Sequence, residues 1–173
     1  MEIRPLDSRD RDALAAFLRR IPEGDRTFFK EPVDDDAVLD AWAVDPLGRW
    51  LALDGGAVVG YVAVVPLHGW SSHVGEIRLI VDPQHRGEGV STALTRHAIV
   101  AALRSGRSKL VVEVLADQEF TIEMFRGLGF DPEALLTGQV RDRGGELRDL
   151  MILALSAGDG AAAAVASGLS QIG

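Results

Sequence analysis

The chain has 173 residues, of which 47% are hydrophobic, and this is enough for one well-buried domain but too little for two of comfortable size. Its formal net charge is −8, so it lacks the broad positive field expected of a nucleic-acid-binding protein. The absence of cysteine excludes disulfides, thiolate metal sites and a cysteine acyl-enzyme.

The sequence shows neither a targeting segment nor a membrane span. Residues 1–7 lack the apolar core of a signal peptide. No apolar run approaches the roughly 20 residues that a membrane-spanning helix needs. Histidines and carboxylates show no metal-like spacing. We therefore expect a soluble, cytoplasmic protein that binds no metal.

Hydrophobic periodicity and turn residues divide the chain into eleven elements. The first helix, capped by Ser8 or Asp10, ends before Pro22-Glu23-Gly24, and the clearest hairpin turns at Asp54-Gly55-Gly56. Further along, Gly129 stands where a glycine closes a helix. In the order β, α, α, β, β, β, α, β, α, β and β, the elements are predicted at residues 3–6, 8–20, 35–44, 49–53, 57–65, 74–82, 89–105, 109–115, 117–128, 135–140 and 149–155.

The strand at residues 109–115 is apolar except for Glu113, which predicts burial on both of its faces. A lone carboxylate in such a strand is costly unless it is paired or has a function. Arg78, on the neighbouring predicted strand, is one candidate partner. Glu113 is therefore either an ion-paired structural residue or a residue that serves chemistry.

The most informative stretch joins the strand at residues 74–82 to the helix that follows. Asp82-Pro83 ends the strand, and Gly87 and Gly89 can adopt positive φ and let backbone amides approach a ligand closely. The amides and the dipole at the start of the next helix favour an anion. A dinucleotide fingerprint would need a glycine where Thr92 stands, and a P-loop would need Gly-Lys-Ser/Thr, which is absent. The stretch therefore predicts a turn that binds pyrophosphate.

The spacing Gln84-x-x-Gly87-x-Gly89 resembles the acyl-CoA loop of the GCN5-related N-acetyltransferases, the GNAT superfamily. A second segment, Phe125-Arg126-Gly127-Leu128-Gly129-Phe130, is similar to the family's Tyr-x-x-x-Gly-Phe ending of the fourth helix. The predicted element order also matches the family over residues 1–155. The resemblance implies a GNAT fold of the α/β class, in which a mostly antiparallel sheet of six to seven strands has its fourth and fifth strands parallel and splayed and is flanked by about four helices.

The end of the sequence, residues 156–173, is rich in alanine, glycine and serine and has little to bury. We expect it to be a mobile tail beyond the GNAT domain of residues 1–155. Homodimerisation is frequent in this superfamily. The last predicted hairpin is the candidate interface, and nothing in the sequence decides whether a dimer forms.

The resemblance implies acetyl-CoA as the acyl donor. In the family, the pyrophosphate lies on the glycine loop and the pantetheine arm lies between the splayed fourth and fifth strands, bonded mainly to the main chain. Ser91 stands where the family often has glycine, and its hydroxyl is a candidate for one more phosphate hydrogen bond. Carried over position by position, the candidate acetyl-CoA-binding residues are Leu79, Ile80, Val81, Arg86, Gly87, Glu88, Gly89, Val90, Ser91, Gln118 and Phe125.

Acetyl transfer to an amine needs a proton acceptor, because an ammonium with a pKa of about 10.4 must lose a proton before it can attack. Three carboxylates are candidates for this general base, namely Glu76, Glu113 and Glu23. The tyrosine that commonly lies near the CoA sulfur in the family falls at Phe125, which has no proton to give. The one tyrosine of the chain, Tyr61, belongs to the predicted hairpin.

These observations predict an N-acetyltransferase that moves an acetyl group from acetyl-CoA to a primary amine of a small molecule or protein, by direct attack in a ternary complex. The phenylalanine at position 125 keeps a second hypothesis open, a non-catalytic module that binds or senses acyl-CoA. A third is an interaction domain whose glycine turn binds nothing. The candidate residues on the acceptor side are Phe28, Phe29, His68 and His73.

Overall fold

A seven-stranded sheet forms the centre of the computed structural model, which describes residues 1–26 and 30–158. Its strands follow the order β1-β2-β3-β4-β5-β7-β6 across the sheet. All neighbouring strands are antiparallel except β4 and β5. This confirms the predicted mixed sheet with one parallel pair. The strands are β1 (Glu2–Pro5), β2 (Arg49–Asp54), β3 (Ala57–Pro66), β4 (Val74–Val81), β5 (Lys109–Leu115), β6 (Asp131–Arg141) and β7 (Leu147–Ser156).

Helices cover both faces of the sheet. Two of them pack on one face around Phe17 and Tyr61, and two pack on the other face around Leu94 and Phe125. The helices of the described residues are α1 (Arg11–Arg20), α2 (Glu23–Arg26), α3 (Asp36–Val44), α4 (Val90–Arg104) and α5 (Glu119–Gly127). The first pair is α1 and α3, and the second pair is α4 and α5. The prediction of a sheet flanked by about four helices is therefore confirmed.

Several helices and strands begin at residues other than those predicted from the sequence. The first helix is preceded by a 3₁₀ turn at Ser8–Asp10, which Asp7 caps in a reciprocal capping box with Asp10. Helix α2 was not predicted. Strand β6 begins at Asp131, earlier than predicted, and includes Pro132. A proline is tolerated there because β6 is an edge strand.

The hairpin and tail predictions have different outcomes. The turn between β2 and β3 is formed by Gly55 and Gly56, whose φ angles of +54° and +85° suit a two-residue turn, and the predicted glycine turn at Asp54-Gly55-Gly56 joins the hairpin. The predicted tail begins one residue inside β7, since Ser156 pairs with Lys109. Residues 159–173, which make up most of that tail, lie outside the described residues, as do Phe28 and Phe29.

The predicted burial of β5 on both faces is wrong. Leu110, Val112 and Val114 are buried beneath α4 and α5, whereas Val111 is half-buried and Glu113 is exposed on the opposite face. The cause is that the core around α1 and α3 includes no residue of β5 among the described residues. One face of β5 is thereby left open to a cleft.

The pairing of β4 with β5 stops halfway along the two strands. Residues 74–77 pair with residues 109–112, and no further β4–β5 pair is present in the described residues. Beyond this point β4 is held only by β3 on its other side, and β5 only by β7. The two strands therefore diverge after Ile77 and Val112, which confirms the predicted splay.

Helix α4 lies close to the sheet because Gly60 stands beneath it. A Cβ atom at Gly60 would lie 2.7 Å from Leu94 Cδ1 and 3.1 Å from Val90 Cγ1. Val90 and Leu94 belong to the first turns of α4 and are buried. The absence of a side chain at Gly60 thus sets the distance of the N-terminus of α4 from the sheet.

Replacing Gly60 by valine is expected to lower the free energy of unfolding by about 1–3 kcal/mol, because the added carbons displace the start of α4. Gly127→Ala is the matched control, since a Cβ there meets nothing within 4 Å, and we expect it to keep wild-type stability or exceed it slightly. Urea unfolding of both variants gives the comparison. A Gly60→Val variant as stable as the wild type would contradict the close packing.

Candidate functional site

The divergence of β4 and β5 opens a cleft of about 1090 Å³, called here the β4–β5 cleft. The two strands form its walls. The turn before α4 lies at one end, and the first turn of α5 lies beside β5. This volume slightly exceeds the usual range of ligand pockets, so the cleft has room for an extended ligand.

Asp82 ends β4 and fixes the turn that leads to α4. Its carboxylate is buried and accepts hydrogen bonds from the Gln84 amide at 3.0 Å and from Arg20 Nε at 3.2 Å. Arg20 also donates to the Val58 carbonyl at 2.7 Å, which ties the end of α1 to β3. A buried carboxylate with two charge-assisted or backbone bonds holds the chain direction at this point.

The start of α4 has the geometry of an anion site. Gly87 and Gly89 have φ angles of +81° and +82°, and Gly89 is the N-cap of the helix. The first helical hydrogen bond runs from the Ala93 amide to the Gly89 carbonyl, so the amides of residues 90–92 precede it and point out of the helix end. These amides and the helix dipole face the same end of the cleft, where they favour a negative charge.

Arg86 spans the end of the cleft. Its guanidinium donates to the Asp25 carboxylate of α2 at 2.5 Å, and both residues line the cleft. The Arg86 side chain is half-exposed. The turn before α4 is thereby linked to the segment between α1 and α3.

Glu76 and Glu113 lie on the same face of the sheet. Glu76 pairs with Val111, so Glu113, two residues further along β5, projects on the same side. Lys30 brings the two carboxylates together, because its Nζ atom lies 2.8 Å from Glu76 Oε1 and 2.9 Å from Glu113 Oε1. An ammonium group is thus held between two carboxylates where the strands separate.

Two further charged residues complete this group. Arg78 Nε donates to Glu76 Oε1 at 3.0 Å, and Arg78 also contacts the Glu31 carboxylate. With Lys30, Arg78, Glu31, Glu76 and Glu113, the group contains two cations and three carboxylates, for a net formal charge of −1. These five residues are called here the charged cluster.

The hydrogen bonds and ion pairs of Glu76 and Lys30 together shift the pKa of each group further than burial shifts it in the opposite direction. Burial raises the pKa of Glu76, but hydrogen bonds from Arg78 and Lys30 overcome this effect and hold the pKa below its usual value. Burial lowers the pKa of Lys30, but hydrogen bonds to Glu76 and Glu113 hold it above its usual value. Glu76 and Lys30 are therefore both charged at neutral pH.

Among the three predicted base candidates, the structure brings Glu76 and Glu113 together and places Glu23 elsewhere. Glu23 lies on α2, does not line the cleft and contacts Arg143 in the turn between β6 and β7. Arg143 also donates to Asp34 at 3.0 Å. Glu113 pairs with Lys30 and not with Arg78, the partner considered from the sequence.

Most of the residues predicted to bind acetyl-CoA line the β4–β5 cleft. These are Leu79, Ile80, Val81, Arg86, Gly87, Gly89, Ser91, Gln118 and Phe125. Glu88 is exposed and Val90 is buried beneath α4, and neither of their side chains lines the cleft. His68 and His73 do not line it either.

The end of α5 and the packing of two phenyl rings hold Phe125 in place. The Phe130 amide donates to the Phe125 carbonyl and the Gly129 amide to the Arg126 carbonyl, with Gly129 at a φ of +92°, which is the Schellman motif. The rings of Phe125 and Phe130 pack edge to face with centroids 5.2 Å apart, and Phe125 is 1% exposed. The prediction that Gly129 closes the helix is confirmed, and a phenyl ring without a donor forms this part of the cleft wall.

Tyr61 does not replace the missing tyrosine. It is buried on the face of α1 and α3, where its ring stacks on Trp42 with centroids 5.1 Å apart. It does not line the cleft. The expectation that it belongs to the hairpin strand is confirmed.

Sequence reasoning missed Lys30 and Glu31, which follow α2 in a segment without helical or strand periodicity. One feature of the sequence, the scarcity of lysine, could have drawn attention to Lys30. The chain contains eighteen basic residues, of which only Lys30 and Lys109 are lysines. Among the described residues, no group of three or more histidines and carboxylates is placed to hold a metal, and no helix is long and apolar enough to cross a membrane.

Solved structures share this fold. The ribosomal-protein-alanine N-acetyltransferase of Brucella melitensis matches with a TM-score of 0.77 and 22% identity, over 90% of this chain and 99% of that chain. The GNAT superfamily phosphinothricin acetyltransferase of Sinorhizobium meliloti, solved in complex with acetyl-CoA, matches with a TM-score of 0.76 and 18% identity, over 91% of this chain and 89% of that chain. At these identities the likeness concerns the fold.

Comparison with known sequences identifies the family to which this chain belongs. Mouse N-acetyltransferase 8F1 is 37% identical over 84 residues, which are 47% of this chain and 38% of the mouse protein. Rat N-acetyltransferase 8F1 is 34% identical over 84 residues, and the chain thus spans less than two fifths of the length of either relative. The model of the acetyltransferase (GNAT) family matches residues 15–130. This match takes in α4, the turn before it and the end of α5, and it shows that the chain belongs to the GNAT acetyltransferase family.

Proposed function

We propose that this chain is an N-acetyltransferase that uses acetyl-CoA to acetylate a primary amine. The observation that carries the proposal is that one cleft joins an anion-binding helix N-terminus to a pair of carboxylates that already hold an ammonium. Family membership supports the transfer of an acetyl group. The acetyl-CoA bound to the Sinorhizobium meliloti neighbour supports the choice of donor.

The donor end of the cleft fits the chemistry of CoA. Glycines at positions 87 and 89 leave the backbone uncovered, since a Cβ atom on either would meet nothing within 4 Å. The amides at the start of α4 then receive the pyrophosphate, and Arg86 adds a positive charge. The pantetheine arm, which contains amide groups, bonds to the edge of β4 at residues 78–81 in place of the missing β5 partner.

The acceptor end fits an amine. Glu76 and Glu113 bind the ammonium by charge-assisted hydrogen bonds, as they bind Lys30. One carboxylate takes a proton from the ammonium, the nitrogen lone pair forms a bond to the acetyl carbon, and the carbon–sulfur bond breaks. The nitrogen then gives a second proton to water, and CoA leaves as a thiolate. Glu113, whose side chain is 30% exposed, passes the proton on to water more readily than the buried Glu76. The cleft contributes proximity and orientation to this step.

The departing thiolate receives no proton from Phe125, because the phenyl ring has no acidic proton. A thiolate whose conjugate acid has a pKa of about 8.5 is a tolerable leaving group without a dedicated acid. The same residue supports a second candidate function, in which the domain binds or senses acyl-CoA and does not turn it over. The two candidates differ in chemistry but share the donor site.

Gly89→Ala is expected to weaken acetyl-CoA binding on the order of tenfold, or about 1.4 kcal/mol, because alanine resists the left-handed φ that aims the helix amides at the ligand. Gly56→Ala is the matched control, since Gly56 has a similar φ of +85° in a hairpin turn outside the cleft. Isothermal titration calorimetry measures both. Equal loss of affinity in the two variants would refute the proposed donor site.

Glu76→Gln and Glu113→Gln are each expected to lower kcat/KM for an amine acceptor by on the order of 10²-fold, because each removes a proton acceptor and half of the ammonium site. Glu133→Gln, which removes the surface ion pair with Lys109, is the control and keeps wild-type kinetics. Steady-state thiol release gives the values. A loss confined to Glu23→Gln would instead move the base to α2.

Acetyl-CoA is expected to raise the melting temperature under either candidate function, whereas thiol release above background is expected only from an enzyme. A thermal shift assay followed by thiol detection over a panel of primary amines separates them. Stabilisation without release across the panel would favour the sensing module. The absence of any stabilisation would contradict both.

A further inference from the structure

We propose that Lys30 is itself an acceptor, so that the chain acetylates its own Lys30 Nζ from acetyl-CoA. This inference rests on the proposed acetyltransferase function and adds one modification site to it. The reaction needs one bound ligand, a thioester donor, and the acceptor is the primary amine of Lys30 itself. No external amine is needed for the reaction.

The position of the Lys30 ammonium carries the inference. Nζ lies 2.8 Å from Glu76 and 2.9 Å from Glu113, the two carboxylates proposed to bind the amine of an acceptor. Lys30 also lines the cleft in which the donor is proposed to lie. The internal amine therefore occupies the site that an external amine would have to enter.

The sheet places this ammonium at the apex of the cleft. Ile77 and Val112 form the last pair of β4 and β5, Glu76 precedes Ile77, and Glu113 follows Val112. The bridging lysine thus lies where the strands separate. A donor that runs along the free edge of β4 from the turn before α4 ends at the same place.

The chain provides a built-in comparison for this lysine. Lys109 is the other lysine, and it is also bonded to a carboxylate, since its Nζ lies 2.7 and 2.8 Å from the two oxygens of Glu133. Lys109 does not line the cleft. Each lysine is bonded to a carboxylate, but only Lys30 lines the cleft proposed to hold the donor, so Lys109 is the reference for acetylation outside the cleft.

The reaction balances without a further reactant. The Lys30 ammonium gives one proton to Glu113 or Glu76, and the neutral nitrogen forms a bond to the acetyl carbon. The carbon–sulfur bond breaks, CoA leaves as a thiolate and takes up a proton, and a second proton from nitrogen passes to water. The products are Nε-acetyllysine and CoA thiol. Each chain accepts one acetyl group at this position, so the reaction is stoichiometric and does not turn over.

The rate of this step is expected to rise with pH. Lys30 must lose a proton, and the carboxylates of Glu76 and Glu113 stabilise its charged form. Of the other charges of the cluster, Arg78 contacts Glu76 Oε1, the oxygen that Lys30 also contacts, and Glu31 contacts Arg78. Alkaline pH increases the neutral, nucleophilic fraction of the Lys30 amine.

The test uses the full chain and acetyl-CoA with an isotopically labelled acetyl group. Peptide mapping by mass spectrometry after timed incubation follows three amines, those of Lys30, Lys109 and the Met1 terminus. We expect label on Lys30 at a rate that is independent of protein concentration and faster than on Lys109 by on the order of tenfold or more. Lys109 and the terminus are expected to show the slow chemical background.

Substitutions show which residues the labelling of Lys30 requires. Glu113→Gln and Glu76→Gln should each slow labelling of Lys30 on the order of tenfold or more while labelling of Lys109 is unchanged, which separates an effect of the cleft from a loss of folding. Glu133→Gln should leave labelling of Lys30 unchanged. Lys30→Arg, which keeps a cation between the two carboxylates, should abolish the fast label.

Three results would overturn the inference. Lys30 labelled no faster than Lys109 would show that the cleft gives no advantage, and a rate proportional to protein concentration would show transfer between chains. If acetyl-CoA binds and external amines are acetylated while Lys30 stays unlabelled, this inference fails and the proposed function stands. If acetyl-CoA does not bind, both fail.

Discussion

The separation of β4 from β5 is the constraint on which the site depends. The strands pair over residues 74–77 and 109–112 and then part, because β3 holds β4 on one side and β7 holds β5 on the other. Parting leaves backbone donors and acceptors of β4 exposed inside a sheet, where unpaired groups are costly unless a ligand or water satisfies them. The same divergence makes the cleft, aims the start of α4 at one end of it and brings Glu76 and Glu113 to the other.

The charged cluster is the second consequence of this geometry. Glu76 is buried at the apex of the cleft and is tolerated there because Arg78 and Lys30 bond to it. Buried carboxylates without such partners would carry a large desolvation cost. Since the cluster retains one net negative charge, its electrostatic field favours a cation. The net charge of the cluster therefore favours an ammonium at the proposed acceptor end, just as the amides of α4 favour an anion at the other end of the cleft.

Local signals in the sequence predicted the elements that depend on short-range physics. The glycines of the hairpin turn, the glycine turn before α4 and Gly129 all adopt positive φ, a conformation in which glycine has no steric competitor. Strand and helix order followed from periodicity. Errors arose where a distant element decided the outcome, as on β5, whose apolar sequence suggested burial on two faces although the core of α1 and α3 does not extend over it.

By itself, the sequence determined the turn of the proposed donor end, because a glycine turn that runs into a helix is encoded within about ten consecutive residues and acts mainly through its backbone. The proposed acceptor end was decided by tertiary structure. The residues of this end come from three separate segments, namely Glu76 from β4, Glu113 from β5 and Lys30 from the segment after α2. No local sequence pattern indicates that β4 and β5 separate beside the two glutamates. Nor does any local pattern indicate that Lys30 lies between the two carboxylates. Contacts between residues far apart in sequence are set by packing of the whole fold, which explains why Lys30 was missed and Glu23 was considered.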